Sequence, residues 1–211
     1  MFFQMVKKIL YVVLLVLFSC RGEATKEQVD GKIPRRESCN PSANPDFLGY
    51  IKSDGIGIVR IGESIPTFRE SPQYEIQAVD QIVPQEDGSQ KIQKVYHVYY
   101  NMGEVMFLEV NSIQPNQVFS ITTFSPYYYL ENCIHVGSSI EDLMLVAGDL
   151  EVMLNYDDNM LYVVQRSSPS IVFMLPADFI LDFSKIDEAT GITDVSNVNN
   201  KGKIISIKVQ V

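Results

Sequence analysis

Residues 92–110, IQKVYHVYYNMGEVMFLEV, set two runs rich in β-branched and aromatic residues on either side of Asn101-Met102-Gly103. Much of each run alternates apolar with polar side chains, the period of a strand with one buried face. Asn and Gly tolerate positive φ, as a tight hairpin turn requires. The stretch therefore reads as two antiparallel strands. Outward from it the same pattern recurs in residues 74–82 (YEIQAVDQI), joined through QEDGSQ and its Asp87-Gly88 pair, and in residues 117–124 (QVFSITTF). Residues 150–156 (LEVMLNY), 160–165 (MLYVVQ), 170–175 (SIVFML) and 203–211 (KIISIKVQV) repeat it, with Asp157-Asp158-Asn159 turning between the first two. Most of the body is expected to be antiparallel sheet.

An internal echo refines this expectation. Val59-Arg60-Ile61-Gly62-Glu63-Ser64-Ile65, then Phe68, recurs 75 residues later as Ile134-His135-Val136-Gly137-Ser138-Ser139-Ile140, then Leu143. Each copy reads as a short strand ending at Gly, a Ser that opens a brief helix, and then a run of strands. In the second copy Ser138 with Glu141 fits a capping box, and Ile140, Leu143, Met144 and Ala147 share one helical face before Gly148. In the first copy Pro66 suits a first helical turn, and Thr67 with Glu70 offers a cap. The expected fold class is α+β, sheet-dominated, with short helices and two related helix-plus-hairpin units at about residues 55–126 and 131–211.

The N-terminus reads differently. Lys7 and Lys8 precede ten apolar residues, 9–18, and then Ser19 and Cys20. This is the layout of a secretory signal, and the run is shorter than the roughly 20 residues that span a bilayer. Leu17-Phe18-Ser19-Cys20 resembles the lipobox of bacterial lipoproteins. That resemblance implies a signal peptide at 1–19, cleavage before Cys20, and lipid on its thiol and new amine. Two or more acyl chains give stable anchoring. Arg21 is not the Asp that marks inner-membrane retention in enterobacterial lipoproteins, so the resemblance points to the outer membrane, periplasmic or surface-exposed. Residues 20–45 are charged, carry Pro34, Pro41 and Pro45, and are poor in apolar residues, as a disordered tether is. A single domain is expected over 46–211.

Removing residues 1–19 takes away two lysines and no acids, moving the formal charge from −9 to −11. Nucleic-acid phosphates demand a basic face, so nucleic acid is excluded as a partner. The acidic balance argues against electrostatic adhesion to anionic lipid as well. With Cys20 assigned to lipid, Cys39 and Cys133 form an even pair in an oxidising compartment. A bridge would close a loop of about 95 residues and stabilise by roughly 4 kcal/mol. The alternative is a buried Cys133 and a loose thiol at Cys39.

Residues 55–65 (GIGIVRIGESI) and 131–143 (ENCIHVGSSIEDL) resemble the "GIxxVxIGxS" and "GIxVGSSxxDL" signatures of duplicated units in secreted bacterial proteins. The SmpA/OmlA outer-membrane lipoproteins and the β-lactamase-inhibitor-protein-like fold use similar units. The resemblance implies a short helix pair packed on an antiparallel sheet, and protein binding. Cys133 stands where such units often have Gly.

Catalytic chemistry is scarcely supplied. The two histidines, His97 in a strand and His135 in the slot of Arg60, lack an evident organised partner. No G-x-S-x-G, S-x-x-K or H-E-x-x-H motif occurs. Cys133 lies two residues from His135, yet nothing in the sequence orients the imidazole. No His/Cys cluster suits zinc. Asp157-Asp158 and the acids between Asp182 and Asp194 lack the ligand spacing of a calcium loop and read as a turn and a solvated loop. No catalytic residue, metal or cofactor is expected.

The aromatic run Tyr127-Tyr128-Tyr129 is the candidate binding surface, because tyrosine is enriched at protein interfaces. Alternation on a strand places Tyr128 opposite its neighbours. The expected role is a non-catalytic envelope lipoprotein that binds or helps assemble another envelope protein. The alternative is a carbohydrate-binding or -processing accessory, which a paired-carboxylate cleft would favour.

Overall fold

Alternating apolar residues at residues 74–124 and 150–211 build one long antiparallel sheet in the structure, a computed structural model that describes residues 40–65, 73–84, 89–110, 113–114 and 116–211. Two short strands, β1 (Gly49–Lys52) and β2 (Gly55–Ile56), come first, followed by β3 (Val59–Arg60). Four longer ones follow: β4 (Tyr74–Pro84), β5 (Gln90–Tyr100), β6 (Gly103–Val110) and β7 (Val118–Thr123). After β8 (Tyr128–Tyr129) and helix α1 (Ile140–Val146) come β9 (Leu150–Asn155), β10 (Met160–Gln165), β11 (Ser168–Pro176), β12 (Ile192–Thr193) and β13 (Ser206–Gln210). The expected strands thus form within a few residues of their expected bounds, and the sheet-dominated α+β class stands.

The large sheet has nine strands in the order β12-β9-β10-β11-β13-β7-β6-β5-β4, and every pair within it is antiparallel. β4 to β7 form one meander, β9 to β11 with β13 form another, and they meet at β7–β13. There Thr122 lies opposite Lys208, flanked by Thr123↔Ile207 and Ile121↔Val209. A smaller sheet, β3-β2-β1-β8, is parallel only at β1–β8.

The two copies of the echoed motif make matching backbone bonds, the first to the start of β7 and the second to the segment that leads into β13. Gly62 N–H donates to Val118 O at 2.8 Å, Val118 N–H to Glu63 O at 2.9 Å, and Ile65 N–H to Asn116 O at 3.0 Å. Gly137 N–H donates to Ile204 O at 2.8 Å, Ile204 N–H to Ser138 O at 3.0 Å, and Ile140 N–H to Gly202 O at 3.0 Å. Ser64 bridges Gln117 as Ser139 bridges Lys203. Gly62 and Gly137 both take positive φ, 80° and 99°.

Strand parity divides the large sheet. Val98, Met106, Leu108, Ile121, Ile207, Val209, Phe173 and Leu161 point inward and are buried. Against them pack Ile51, Ile56 and Val59 of the small sheet, Ile140, Leu143 and Ala147 of α1, and Ile180, Ile186, Val198 and Ile204 of the later loops, all in one cluster. These residues form one continuous core. The body begins before residue 46: Pro41–Ala43 form a 3-10 turn with Pro41 buried, so residues 40–45 belong to the body and not to a tether.

The α1 cap sits one residue later than the sequence suggests. Ser139 Oγ accepts from Asp142 N–H at 3.1 Å while an Asp142 oxygen accepts from Ser139 N–H at 3.0 Å. Ser138 is engaged elsewhere, its hydroxyl accepting from His135 N–H at 3.1 Å. Of the expected face, Ile140, Leu143 and Ala147 are buried, while Met144 is 43% exposed. The turn after β5 also differs. Asn101 and Met102 take the positive φ values, 48° and 67°, and Gly103 already pairs with Tyr100. The first-copy helix, with Pro66, Thr67 and Glu70, and the Asp87-Gly88 turn lie outside the described residues, as do residues 1–39 with Cys20 and Cys39.

Candidate functional site

The other face of the large sheet carries a different set of side chains. Inward parity at Met106 and Leu108 forces Phe107 and Glu109 outward, as Ile121 and Thr123 force Ser120 and Thr122, and Ile207 and Val209 force Lys208. These outward residues meet across the β6-β7-β13 ladders. Lys208 Nζ lies 2.8 Å from Glu109 Oε2, both side chains about a quarter exposed. Ser120, wholly buried, donates its hydroxyl to the same oxygen. Burial pushes the Glu109 carboxyl up, but the hydrogen bonds from Lys208 and Ser120 and the ammonium charge outweigh it, and the net shift is downward. Glu109 is therefore a fixed anion at neutral pH and a poor proton carrier.

Beside this cluster a cavity of about 260 Å³ is lined by Phe107, Phe124, Val172 and Met174 with Thr122 and Lys208. The Phe107 and Phe124 rings stand 5.7 Å apart. At its rim Tyr162 donates its hydroxyl to Asp158 and accepts from Asn155 Nδ2 at 3.1 Å. Partial burial and the Asp158 bond raise the Tyr162 pKa. Thr122 is 2% exposed, and among the described residues its Oγ1 is the buried side-chain polar atom left without a hydrogen-bond partner.

A second, larger cavity of about 510 Å³ lies toward the sheet edge, lined by Val79, Asp80, Gln81, Ile82, Val95, His97 and Phe107. Phe107 is the ridge between the two. His97 points onto this open face, and its Nδ1 sits 2.7 Å from Glu104 Oε1. The carboxylate orients the ring, but among the described residues no serine, threonine or cysteine lines this cavity. Its lining suits contact with apolar groups. Beyond it the β4–β5 hairpin runs out of the core. Val79 is 44% exposed, and the opposed pair Ile82 and Ile92 are 60% and 69% exposed.

The tyrosine triplet separates as strand alternation requires. Tyr128 is 1% exposed, its hydroxyl 3.4 Å from that of Tyr74, and burial with that neighbour drives its pKa far up. It belongs to the core, which corrects its place in the expected binding surface. Tyr127 is 39% exposed. Tyr129 is half-buried, its hydroxyl accepting from Asn44 Nδ2 at 3.1 Å and its ring 4.5 Å from that of His135. His135 is thus a packing residue of this corner, with Nδ1 3.1 Å from Cys133 O. Cys133 holds φ at 71°, in the left-handed region that favours Gly, and it is disulfide-bonded, its other half lying outside the described residues. No His/Cys/Asp/Glu cluster fit for a metal occurs among the described residues. Asp182 and Asp194 instead cap 3-10 turns, accepting from Ser184 N–H at 3.0 Å and Ser196 N–H at 2.8 Å.

Glu109, Ser120, Thr122 and Lys208 did not stand out in the sequence. The available signal was weak: single polar residues at alternate positions in otherwise apolar strands, whose meeting depends on pairing between distant segments. Fold and site together define an α+β domain with one covered and one open sheet face. No protein-family model matches the chain, and no curated protein does. Among solved structures it is similar to the uncharacterized protein yfeY from Escherichia coli, with 11% identity and a TM-score of 0.52, covering 78% of this chain and 99% of that one. At that identity the likeness concerns the fold alone. Among the described residues, no helix is long and apolar enough to cross a membrane.

Proposed function

We propose that this chain is an outer-membrane lipoprotein, anchored through Cys20, whose domain is a non-catalytic module binding another envelope protein. The observation that carries the reading is β4. It stands at the end of the nine-stranded sheet and pairs with β5 along all eleven residues without a register shift. At about 3.3 Å per residue it offers an edge some 36 Å long. Natural edge strands are usually blunted by bulges, lysines, prolines or covering elements. β4 has no lysine, and its one proline is the last residue. Its own Val79 and Ile82 are exposed, as is Ile92 opposite Ile82 on β5. The occupant we assign is an extended segment of the partner that adds as a further strand and seats apolar side chains in the adjoining groove.

The matched hydrogen bonds at Gly62 and Gly137, and two meanders meeting at β7–β13, support two duplicated units as the origin of this sheet. The carboxylates beside the 260 Å³ cavity favour the protein-binding reading over the carbohydrate one, because Glu109 is held by Lys208 and Asp158 by Tyr162.

Successive N–H groups of an edge strand alternate between its neighbour and the open side. Hence one of Ala78→Pro and Val79→Pro removes an outward donor and leaves the β5 ladder intact. The variant that keeps its circular dichroism spectrum should lose partner capture from crosslinked envelopes. Undiminished capture by that folded variant would overturn strand addition.

A further inference from the structure

We infer that the cavity between Phe107, Phe124, Val172 and Met174 is a binding site for a small uncharged ligand with an apolar body and one carbonyl or hydroxyl oxygen. The site is distinct from the β4 edge and does not depend on it. Phe107, Phe124, Val172 and Met174 form its apolar wall, and its floor holds Thr122 and Lys208, directly opposed across β7–β13. Ser206 and Gln210 stand on either side of Lys208 along β13, with Asp158 and Tyr162 at the rim. Thr122 is 98% buried by its 2% exposure, and its hydroxyl has no partner among the described residues. A buried hydroxyl without a partner is costly, and an oxygen acceptor entering the cavity would relieve it. The Lys208 ammonium has three protons, and Glu109 engages it at 2.8 Å, so donors remain on the residue opposed to Thr122 in the same lining.

Charge selects against ions. An anion finds Lys208 already neutralised by Glu109, with Asp158 at the rim adding negative charge. A cation meets the Lys208 ammonium, and the Glu109 oxygen nearest it already accepts from Lys208 and Ser120. At roughly 30 Å³ per small group, about 260 Å³ admits a ligand of about nine non-hydrogen atoms or slightly more.

The test uses the full mature chain in detergent, labelled with carbon-13 at methionine methyls. N-benzylacetamide is the probe, with benzylammonium and phenylacetate as its charged counterparts. The Met174 methyl should shift saturably while that of Met102, 96% exposed on a distant turn, stays still. A dissociation constant between about 10 µM and 1 mM suits so small a ligand. The charged probes should bind at least about tenfold more weakly. Thr122→Val should weaken N-benzylacetamide about three- to tenfold while raising the melting temperature, because it removes an unsatisfied buried hydroxyl. Phe124→Ala, at a position 43% exposed and so safe for folding, should also weaken it. No saturable Met174 shift, equal binding of the charged probes, or unchanged affinity in both variants would overturn the inference.

Discussion

Replacing Gly62 and Gly137 by alanine, one at a time, probes whether the two echoed motifs do the same physical work. Both glycines sit at positive φ, 80° and 99°, and a Cβ added at either meets nothing within 4 Å. Neither substitution creates a clash, so the cost is the backbone strain of an L-residue in this region, about 1–2 kcal/mol. A small offset comes from the stiffer unfolded chain. A net loss near 1 kcal/mol lowers the melting temperature by roughly 2–4 °C in a domain of this size. Both N–H groups make 2.8 Å bonds to backbone carbonyls, of Val118 at the start of β7 and of Ile204 just before β13, so the two losses should agree within about 0.5 kcal/mol. Gly191 is the contrast. Its φ is +72°, and an added Cβ would lie 2.5 Å from Leu154 O, so backbone overlap adds to strain and Gly191→Ala should cost clearly more. Urea unfolding followed by far-ultraviolet circular dichroism measures all three. A neutral Gly62→Ala beside a Gly137→Ala as costly as Gly191→Ala would refute the equivalence.

Three further outcomes follow from other parts of the chain. Cys20→Ala should abolish labelling by a fatty-acid analogue and block processing before residue 20; equal labelling of both proteins would sink the anchor. Cys133 is disulfide-bonded, and the proposed anchor at Cys20 leaves Cys39 as its partner, so envelope-derived protein should resist alkylation until reduced, and Cys39→Ser should expose one thiol. Removing such a bridge typically costs about 2–5 kcal/mol, so a melting temperature indifferent to reductant would count against it. For acid stability, Glu109 has a folded pKa below its ordinary 4.5, so its contribution is present above that value and lost as pH falls through the lower folded one. Glu109→Gln should flatten the loss of stability below about pH 4.5; a wild-type slope would contradict this. The flattening is partial, because Asp182, Asp187 and Asp194 are lowered too, chiefly by their capping hydrogen bonds, and act with the same sign.

Much of the fold was legible because strand alternation is local. Residues 160–165 and 74–82 declare their period without reference to anything distant, and Gly62 and Gly137 declare a shared backbone demand. Helix α1 was legible to within a residue, and the error arose because Ser138 and Ser139 are both competent caps and only the turn from His135 decides between them. The two-residue strands β2, β3, β8 and β12 are held by tertiary pairing and carry too few residues to show a period. Alternation rightly put Tyr128 opposite Tyr127 and Tyr129, but only packing against Tyr74 says which side is the core. The open-face cluster was illegible for a related reason. Glu109, Ser120 and Lys208 lie on three strands, and β7 and β13 become neighbours only when the two meanders meet.

A photo-crosslinking amino acid at Ile82 or Ile92, compared with Tyr156 or Leu181, tests the binding-module account most directly. All four side chains are at least 60% exposed, and only the first two flank the β4–β5 edge. Irradiated in living cells with the lipid anchor intact, positions 82 and 92 should each yield a discrete protein adduct that positions 156 and 181 do not. Adducts absent at the hairpin, or spread equally over all four positions, would contradict a partner docked along β4.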